Sequence, residues 1–324
     1  MKVAIGSKII EGPWGGGNLF LINFKNYLLD NNIQVVFDLN ESDIDVILFT
    51  DPRTSIGSTS TISKSKIKNY ISKKPDTVVV QRINECDERK NTKGVNSKYI
   101  RASKIADHVV FVSSWLEDLY ISLGIDKNKT SVILSGSNKN YFNTINKKYW
   151  NKSEKIKLIT HHWSNNLMKG FKIYEKIDVL IRTTNLSEKL QFTYLGNYPK
   201  DLQFLKTNLI APVDEVQTSK ILKEHHIYVT ASLNEPSGNH HIEAAQCGLP
   251  ILYIDSGGVT EYCKGYGVSF SENDLEEKIN QIINSYDFYV DNLKSYPHSS
   301  DKMCLEYLEL FYHLIKIKKK KYRF

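Results

Sequence analysis

Short runs of β-branched and apolar residues alternate with longer stretches of helical periodicity along most of the chain, and this alternation limits the possible folds most strongly. Runs such as Val-Val-Phe and Val-Ile-Leu-Phe lack the polar–apolar alternation of a half-exposed strand. They are typical of strands buried on both faces of a parallel sheet, and their alternation with helices predicts βαβ units. The predicted strands are Lys2–Gly6, Gln34–Leu39, Asp45–Thr50, Thr77–Arg82, His108–Ser113, Ser131–Leu134, Lys157–Thr160, Gln191–Leu195, Asn208–Ile210, Ile227–Ala231, Ile251–Asp255 and Gly267–Phe270.

The pattern runs twice, with a polar, Lys- and Asn-rich break near residues 143–153 that is typical of a linker. We therefore predict an α/β protein with two doubly wound, Rossmann-like domains, residues 1–145 and 146–298, followed by a C-terminal helix and basic tail at 299–324. Ligands of such sheets bind beyond the carboxyl ends of the strands, so a site is expected in the cleft where the two domains face each other.

The last helix is predicted to begin near Ser299–Asp301, where either residue can cap it. Met303, Tyr307, Phe311 and Leu314 then form one apolar stripe at helical spacing, which we expect to pack back on the first domain. The residues 316–321 are mostly lysine, and we interpret them as a solvated tail in preference to a membrane-docking patch.

Composition narrows the class of protein and its compartment. The 324 residues include 43 Lys and Arg against 36 Asp and Glu, and this mild, dispersed excess does not indicate a nucleic-acid-binding protein. The four cysteines are far apart and form no CxxC pair, which favours a reduced, cytoplasmic compartment over a disulfide framework. The sequence predicts neither a signal peptide nor a transmembrane helix, so we expect at most peripheral contact with a membrane.

The strongest chemical signal lies at residues 228–250, YVTASLNEPSGNHHIEAAQCGLP. A strand ends near Ala231, a Gly- and Pro-containing loop follows, and a helix from about His240 ends where Gly248 and Pro250 stop it. Glu235 on the loop and Glu243 on the helix should point into the same cleft. Carboxylates accept hydrogen bonds from sugar hydroxyls, and the N–H groups at the helix start suit an anion.

This E-x7-E pattern, followed by DSGGVTE, resembles the family 4 retaining glycosyltransferases of GT-B fold. Other segments resemble the same family, in the same order, along nearly the whole chain. They are ADHVVFVSSWLEDLYISLGI at 106–125, SVILSGSNKNYF at 131–142, Lys169-Gly170, Leu195-Gly196 and APVDEVQ at 211–217.

The resemblance implies a GT-B fold and the transfer of a sugar from a UDP- or GDP-linked donor to a carbohydrate or lipid-linked acceptor, with no further cofactor and no metal. It implies that Lys169 and Glu235 serve catalysis: Lys169 would neutralise the donor diphosphate, and Glu235 would contact donor sugar hydroxyls. Glu243 would hold the ribose. The other implied donor-binding residues are Gly15, Gly16, Gly17, Ser164, Pro236, Ser237, Gly238 and Asn239.

The chain departs from the family pattern at one position. Members commonly carry an Arg five or six residues before the Lys, whereas this chain has Ser164 and Trp163 there. The sequence alone names no substitute for that phosphate-binding cation.

The segment QRINECDERK at 81–90 follows a predicted buried strand into the cleft, with a dense set of charges that includes Arg89. It is either a capped loop with internal salt bridges or an acceptor-binding element. In the second case Arg82, Glu85 and Asp87 would bind the acceptor, and Glu85 or Asp87 would accept its proton.

Two histidine pairs, at 161–162 and 240–241, follow predicted strands of the second domain and could gather in the cleft. Their spacing is not that of a zinc site, so we favour contact with the donor over metal binding. Trp14 and Trp163 could stack on sugar rings, whereas Trp115 is expected in the core.

Three alternatives stay open at this stage. The partial Gly15-x-Gly17 fingerprint with Asp38 could indicate an NAD site, but it explains nothing in the second domain. A GT-B sugar-nucleotide epimerase or phosphorylase, and a catalytically silent sugar-nucleotide-binding module, share the same site residues.

Overall fold

The computed structural model describes residues 1–10, 15–53 and 59–321. Within these ranges, twelve strands form two six-stranded sheets, and every strand pairing is parallel. All twelve predicted strands are confirmed, with ends that differ by at most about three residues. The fold is therefore the predicted α/β architecture of two doubly wound domains.

The first sheet has the strand order β2-β1-β3-β4-β5-β6. The order reverses beside β1, which is the switch point where ligands of doubly wound sheets bind. Its strands are β1 Lys2–Ile5, β2 Gln34–Val36, β3 Val46–Phe49, β4 Val78–Ile83, β5 His108–Phe111 and β6 Thr130–Val132. Its helices are α1 Gly16–Asp30, α2 Lys64–Lys73, α3 Val95–Ser103 and α4 Ser114–Ser122, with a 3₁₀ turn at Lys127–Lys129.

The second sheet has the order β12-β11-β10-β7-β8-β9, with its own switch point beside β7. Its strands are β7 Ile156–His162, β8 Leu190–Gly196, β9 Asn208–Ile210, β10 Ile227–Thr230, β11 Ile251–Ile254 and β12 Gly267–Phe270. The helices of this part are α5 Phe171–Thr183, α6 Leu186–Lys189, α7 Glu215–Lys223, α8 Asn239–Gln246, α9 Val259–Cys263, α10 Leu275–Asn284 and α11 Tyr286–Leu293, with a 3₁₀ turn at Leu167–Lys169.

The central strands are buried because helices cover both faces of each sheet, whereas the edge strands β2, β6 and β9 are partly exposed. In β4, all six residues are buried, which accounts for the continuous Val-Val-Val run that the sequence showed. Each sheet has one apolar cluster on either side, so the two domains each have a core on both faces of the sheet.

The C-terminal helix α12, Ser300–Lys321, returns to the first domain as predicted. Its Tyr307 packs between Phe20 and Phe24 of α1, with a ring-centroid distance of 5.4 Å to each. The lysine run is not a separate tail, because the helix continues through it. Lys318 reaches the carboxylate of Asp107 (2.5 Å) and the Thr77 carbonyl (2.6 Å), so part of the run is anchored to the first domain.

The two domains also contact each other directly. The Glu261 carboxylate of α9 accepts hydrogen bonds from the backbone N–H groups of Ser114 (2.9 Å) and Trp115 (3.1 Å), at the start of α4. The neighbouring Tyr262 hydroxyl donates to the Val112 carbonyl. These contacts hold α9 of the second domain against the end of β5 in the first, below the cleft.

Candidate active site

A cavity of about 600 Å³ lies between the two sheets, where their strand ends face each other. The first domain contributes residues that follow β1, β3 and β4, together with the start of α1. The second domain contributes residues that follow β7 and β10, together with the start of α8. This is the position that the topology predicts for a ligand site in sheets of this type.

Lys169 and Glu235 form an ion pair at the centre of the cavity. Lys169 ends a 3₁₀ turn, and Gly170 behind it has φ +80°; a Cβ there would lie 2.1 Å from the Ala231 carbonyl oxygen, so glycine lets this turn approach the end of β10. The side chain of Lys169 is 13% exposed and that of Glu235 is 5% exposed. The close approach of loop and strand thus brings a partly buried cation to a buried carboxylate.

The charges of this pair are set by burial and by neighbouring cations. Burial acts to raise the pKa of Glu235, but Arg89 and Lys169 outweigh it and hold that pKa well below its usual range. Burial lowers the pKa of Lys169, and the Glu235 carboxylate opposes that effect. The carboxylate therefore stays ionised across the physiological range.

Arg89, from the turn that follows β4, completes the charged group from the first domain. Its Nε lies 3.1 Å from Oε1 of Glu235, and its Nη1 lies 3.3 Å from Oε2 of Glu85. Lys90 Nζ lies 2.9 Å from the same oxygen of Glu85. The sequence placed Arg89 in a charged loop but did not predict that it meets Glu235, 146 residues further along the chain.

Glu243 lies inside α8, as predicted, and meets the histidine that nearly ends β7. Oε2 of Glu243 lies 3.0 Å from Nε2 of His161, and both side chains are buried. The His161 ring also lies 5.6 Å from the ring of Trp163, which lines the same cavity. The sequence did not predict this His–Glu contact, because the two residues lie on different elements.

The start of α8 lies against the first domain. A Cβ at Gly16 would come within 2.8 Å of the Asn239 side-chain oxygen, so the glycine-rich start of α1 lies very close to the start of α8. Gly238 precedes the helix with φ +81°, a conformation that glycine adopts without strain. Gly238 and the first two residues of α8, Asn239 and His240, line the cavity.

The four histidines of the two pairs lie next to one another, and three of them, His161, His162 and His240, line the cavity. The rings of His162 and His240 are 4.7 Å apart, and those of His240 and His241 are 4.9 Å apart. Burial lowers the pKa of His162, His240 and His241, that of His241 to about 3. Among the described residues, no group of three or more His, Cys, Asp or Glu side chains is arranged to hold a metal ion.

The remaining predicted site residues divide into those that line the cavity and those that do not. Asp87 does not: its carboxylate accepts from the backbone N–H groups of Val95 (2.9 Å) and Asn96 (3.0 Å), which caps α3. Pro236 is buried beside the cavity, and its carbonyl lies close to Gly258. Trp14 lies outside the described residues. Those that line the cavity are Gly15, Gly16, Gly17, Arg82, Glu85, Ser164, Ser237, Gly238 and Asn239.

Arg82 lies deeper in the cavity wall than an exposed binding residue would. Its guanidinium stacks on the Phe20 ring at 4.1 Å from the centroid, and the residue is only 3% exposed. Trp115 packs against the core of the first domain, which confirms the prediction for that tryptophan.

Two doubly wound domains that face a central cleft, with the C-terminal helix returned to the first domain, define the GT-B class of glycosyltransferases. Residues 201–295 match the family model of glycosyl transferases group 1, and this stretch covers α7, β10, α8 and the E-x7-E segment. The fold and this match agree with the predicted class, a GT-B glycosyltransferase.

Solved structures with the same fold cover almost the whole chain. Sucrose-phosphate synthase from Thermosynechococcus elongatus superposes with a TM-score of 0.69 at 13% identity, covering 98% of this chain and 99% of that one. HepE from Anabaena, in complex with UDP and glucose, superposes with a TM-score of 0.68 at 14% identity, covering 97% and 100%.

Curated relatives match a shorter stretch. The gpi3 subunit of phosphatidylinositol N-acetylglucosaminyltransferase from Schizosaccharomyces pombe is 28% identical over 123 residues, which are 34% of this chain and 27% of the relative. The corresponding Saccharomyces cerevisiae subunit is 26% identical over 139 residues, 39% of this chain and 31% of the relative. The chain thus spans less than a third of the length of these curated relatives.

Proposed function

We propose that this chain transfers a sugar from a nucleoside-diphosphate sugar to an acceptor hydroxyl, with retention of the anomeric configuration, as a member of family 4. The observation that carries the proposal is the meeting of Lys169, Glu235 and Glu243 in one cleft. Each lies on an element that follows a strand end. The proposal assigns each of the three side chains to a different part of such a donor.

The donor is proposed to lie along the second domain with its nucleoside at Glu243 and its sugar at Glu235. Glu243 would accept from the ribose hydroxyls, with His161 orienting the carboxylate from its other side. Glu235 would accept from hydroxyls of the donor sugar. Lys169 and the N–H groups at the start of α8 would bind the diphosphate between them, since both favour anions.

The reaction breaks the bond between the donor C1 and the β-phosphate oxygen, and it forms a bond between C1 and the acceptor oxygen on the same face of the sugar. The acceptor proton passes to an oxygen of the departing diphosphate, so the products are a glycoside and a nucleoside diphosphate. Lys169 stabilises the charge that develops on the leaving group. Because Lys169 and α8 supply this charge, the proposal includes no metal ion and no further cofactor.

The donor base and the acceptor class are inferred from the relatives. HepE binds UDP and glucose, which supports a UDP-linked donor, with GDP as the alternative. The curated relatives are subunits of a phosphatidylinositol-modifying transferase, which supports a lipid-linked acceptor over a free glycan.

A lipid-linked acceptor requires access to a membrane, and α12 offers a basic surface for it. Lys316, Lys319, Lys320 and Lys321 are exposed, and Ile317 beside them is 52% exposed. Among the described residues, no helix is both long and apolar enough to cross a bilayer. We propose cytoplasmic activity with peripheral contact to an anionic membrane surface.

A thermal-shift panel of UDP- and GDP-sugars tests the donor first. A donor at 100 times its dissociation constant should stabilise the protein by about 2.7 kcal/mol, which is enough to rank the candidates. The donor that stabilises most is then incubated with lipid-linked and free glycan acceptors, and the anomeric configuration of the product is read by NMR. An inverted product would contradict the retaining mechanism.

Two further outcomes separate the alternatives. A modified sugar nucleotide released without an acceptor would indicate an epimerase, and donor binding without turnover on any acceptor would indicate a silent binding module. Transfer should also survive EDTA; a complete loss that added metal restores would contradict the proposed metal independence.

A further inference from the structure

We propose that Arg89 of the first domain is the second cation that binds the donor diphosphate. Glu235 pairs with Arg89 and Lys169, and the diphosphate replaces it when the donor binds. The inference rests on the proposed function, because it assigns a residue to the diphosphate subsite of that donor.

The second domain lacks a second cation for the diphosphate at the position where the family commonly has one. The residues that lie five and six positions before Lys169 are Ser164 and Trp163, and neither side chain can carry a positive charge. Both line the cavity, and the Ser164 hydroxyl accepts a hydrogen bond from the Asn166 backbone N–H (3.2 Å). A diphosphate bound at Lys169 carries two or more negative charges, so one lysine leaves part of that charge unpaired.

Arg89 is held where it can meet that charge. The turn that carries it is anchored on both sides: Asp87 caps α3, and the buried Tyr120 hydroxyl donates to the Glu85 carbonyl at 2.9 Å. The Arg89 side chain is 27% exposed, so it is neither part of the core nor a free surface group. Its position is fixed by the fold of the first domain, while its guanidinium projects into the cleft.

The two cations bracket one carboxylate. Arg89 contacts Oε1 of Glu235, and Lys169 contacts Oε2. A phosphate group presents the same kind of planar pair of oxygens, and a guanidinium binds such a pair through two parallel N–H groups. The carboxylate of Glu235 therefore offers the two cations a negatively charged pair of oxygens, as a phosphate group would.

Replacement of the Glu235 carboxylate by the diphosphate would also leave Glu235 free to bind the donor sugar. The two carboxylate oxygens of Glu235 are engaged by Arg89 and Lys169. When the diphosphate takes the cations, both oxygens become available to the hydroxyls of the sugar that the diphosphate carries. The same exchange joins the domains through the donor, since Arg89 and Lys169 lie on opposite walls of the cleft.

The test is calorimetric titration with UDP, GDP, uridine, guanosine and inorganic pyrophosphate. Arg89→Ala should weaken the nucleoside diphosphate and pyrophosphate ten- to a hundredfold and leave the nucleoside unchanged, while Arg89→Lys should restore part of the loss. The matched control is Arg101→Ala, which removes an exposed arginine of α3 away from the cavity and should bind all probes as the wild type does.

A second arm uses Glu235→Gln, which removes the competing charge but keeps the side-chain size. The exchange predicts that free UDP or GDP binds this variant several-fold more tightly than the wild type. Arg89→Gln, with its melting temperature compared to the wild type, replaces the alanine variant if the latter does not fold.

The outcomes separate the two proposals. Wild-type protein that binds UDP or GDP, together with an Arg89→Ala variant that binds the same diphosphate equally well, would overturn the role of Arg89 and leave the proposed function standing. A variant that loses thermal stability but keeps its preference for diphosphate over nucleoside would show Arg89 to be only a structural link. Wild-type protein that binds neither diphosphate would overturn both.

Discussion

Lys169 is the partly buried cation that we propose stabilises the leaving group, so its replacement tests the proposed chemistry most directly. Its side chain is 13% exposed and is paired with Glu235. Lys169→Ala should lower kcat about 10²- to 10³-fold, since a preorganised group that stabilises developing charge contributes about 3–4 kcal/mol in the transition state. Steady-state kinetics with saturating donor measure this, and Lys172→Ala, an exposed change on the adjacent helix, is the control. A kcat close to the wild-type value would remove the phosphate role.

The two glutamates should be distinguishable by the part of the donor that each contacts. Glu243→Gln should weaken both the sugar nucleotide and the free nucleoside diphosphate, because it removes a charge-assisted hydrogen bond to ribose of about 1.5–3 kcal/mol. Glu235→Gln should weaken the sugar nucleotide and slow transfer without weakening the free nucleoside diphosphate. Calorimetry of both ligands on both variants is the measurement, and an equal loss of free nucleoside diphosphate in the two variants would contradict the assignment.

Sequence reasoning predicts the position of single residues in the cleft where a motif fixes the local structure. Glu235, Glu243 and Lys169 are predicted because strand, glycine and helix follow in a fixed order around them. Arg89 is not, because its partner lies in the other domain and no local pattern relates the two loops. For Asp87, the charged loop after a strand allowed either a capped loop or a binding residue, and the structure shows the carboxylate capping α3. A cap and a binding residue have the same sequence signal.

At the scale of elements, one buried carboxylate holds the connection that leads into β9. Asp178 of α5 accepts from the backbone N–H groups of Leu205 (3.1 Å), Lys206 (2.8 Å) and Thr207 (2.8 Å), and its side chain is 2% exposed. Burial acts to raise the pKa of Asp178, but these hydrogen bonds outweigh it and hold that pKa below its usual value.

Asp178→Asn should therefore destabilise the protein by about 1–2 kcal/mol at pH 7, because charge-assisted hydrogen bonds become neutral ones. A carboxylate with a lowered pKa stabilises the fold fully above its unfolded pKa of about 3.9, and this contribution is lost as the pH falls through the folded value. Urea denaturation at several pH values measures the difference from wild type, which should be constant above pH 5 and shrink below pH 4. Asp201→Asn, on an exposed site nearby, is the control.

The strands could be predicted from the sequence because their composition is local, whereas the connections depend on contacts with distant residues. A strand buried on both faces is rich in β-branched and apolar residues, so a run such as that of β4 reveals it from composition. The connections depend on contacts such as that of Asp178 with residues 205–207, where a polar residue inside a helix pattern meets backbone far along the chain. The continuation of α12 through Lys318 likewise depends on Asp107 and Thr77, which nothing in the lysine run indicates.

At the scale of the whole molecule, the histidines make stability depend on pH in the mildly acidic range. Burial lowers the pKa of seven of the nine, so they are neutral in the folded protein at pH 6. A histidine with a lowered folded pKa stabilises the fold fully above its unfolded value of about 6.5, and the contribution is lost as the pH falls towards the folded value. The seven are His108, His162, His225, His226, His240, His241 and His298.

The free energy of unfolding should accordingly decrease from pH 7 to pH 5, by about 1.4 kcal/mol per pH unit for each proton that only the unfolded chain binds. Guanidinium denaturation at pH 7, 6 and 5 measures the decrease. Calorimetric unfolding in buffers of different ionisation enthalpy counts the protons. A free energy of unfolding that is equal at pH 7 and pH 5 would contradict the burial of neutral imidazoles.

The return of α12 to the first domain has a consequence for the order in which the protein is made. One core of that domain combines Val3 and Phe24 with Tyr307 and Phe311, whereas the cores of the second domain draw on residues 142–296 with few exceptions. At about 5–20 residues per second, a ribosome has to synthesise the entire second domain, for many seconds, before it delivers the helix that covers α1. The later domain is therefore able to fold first, and the earlier one waits with an uncovered apolar surface, which is the kind of surface that chaperones bind on nascent chains.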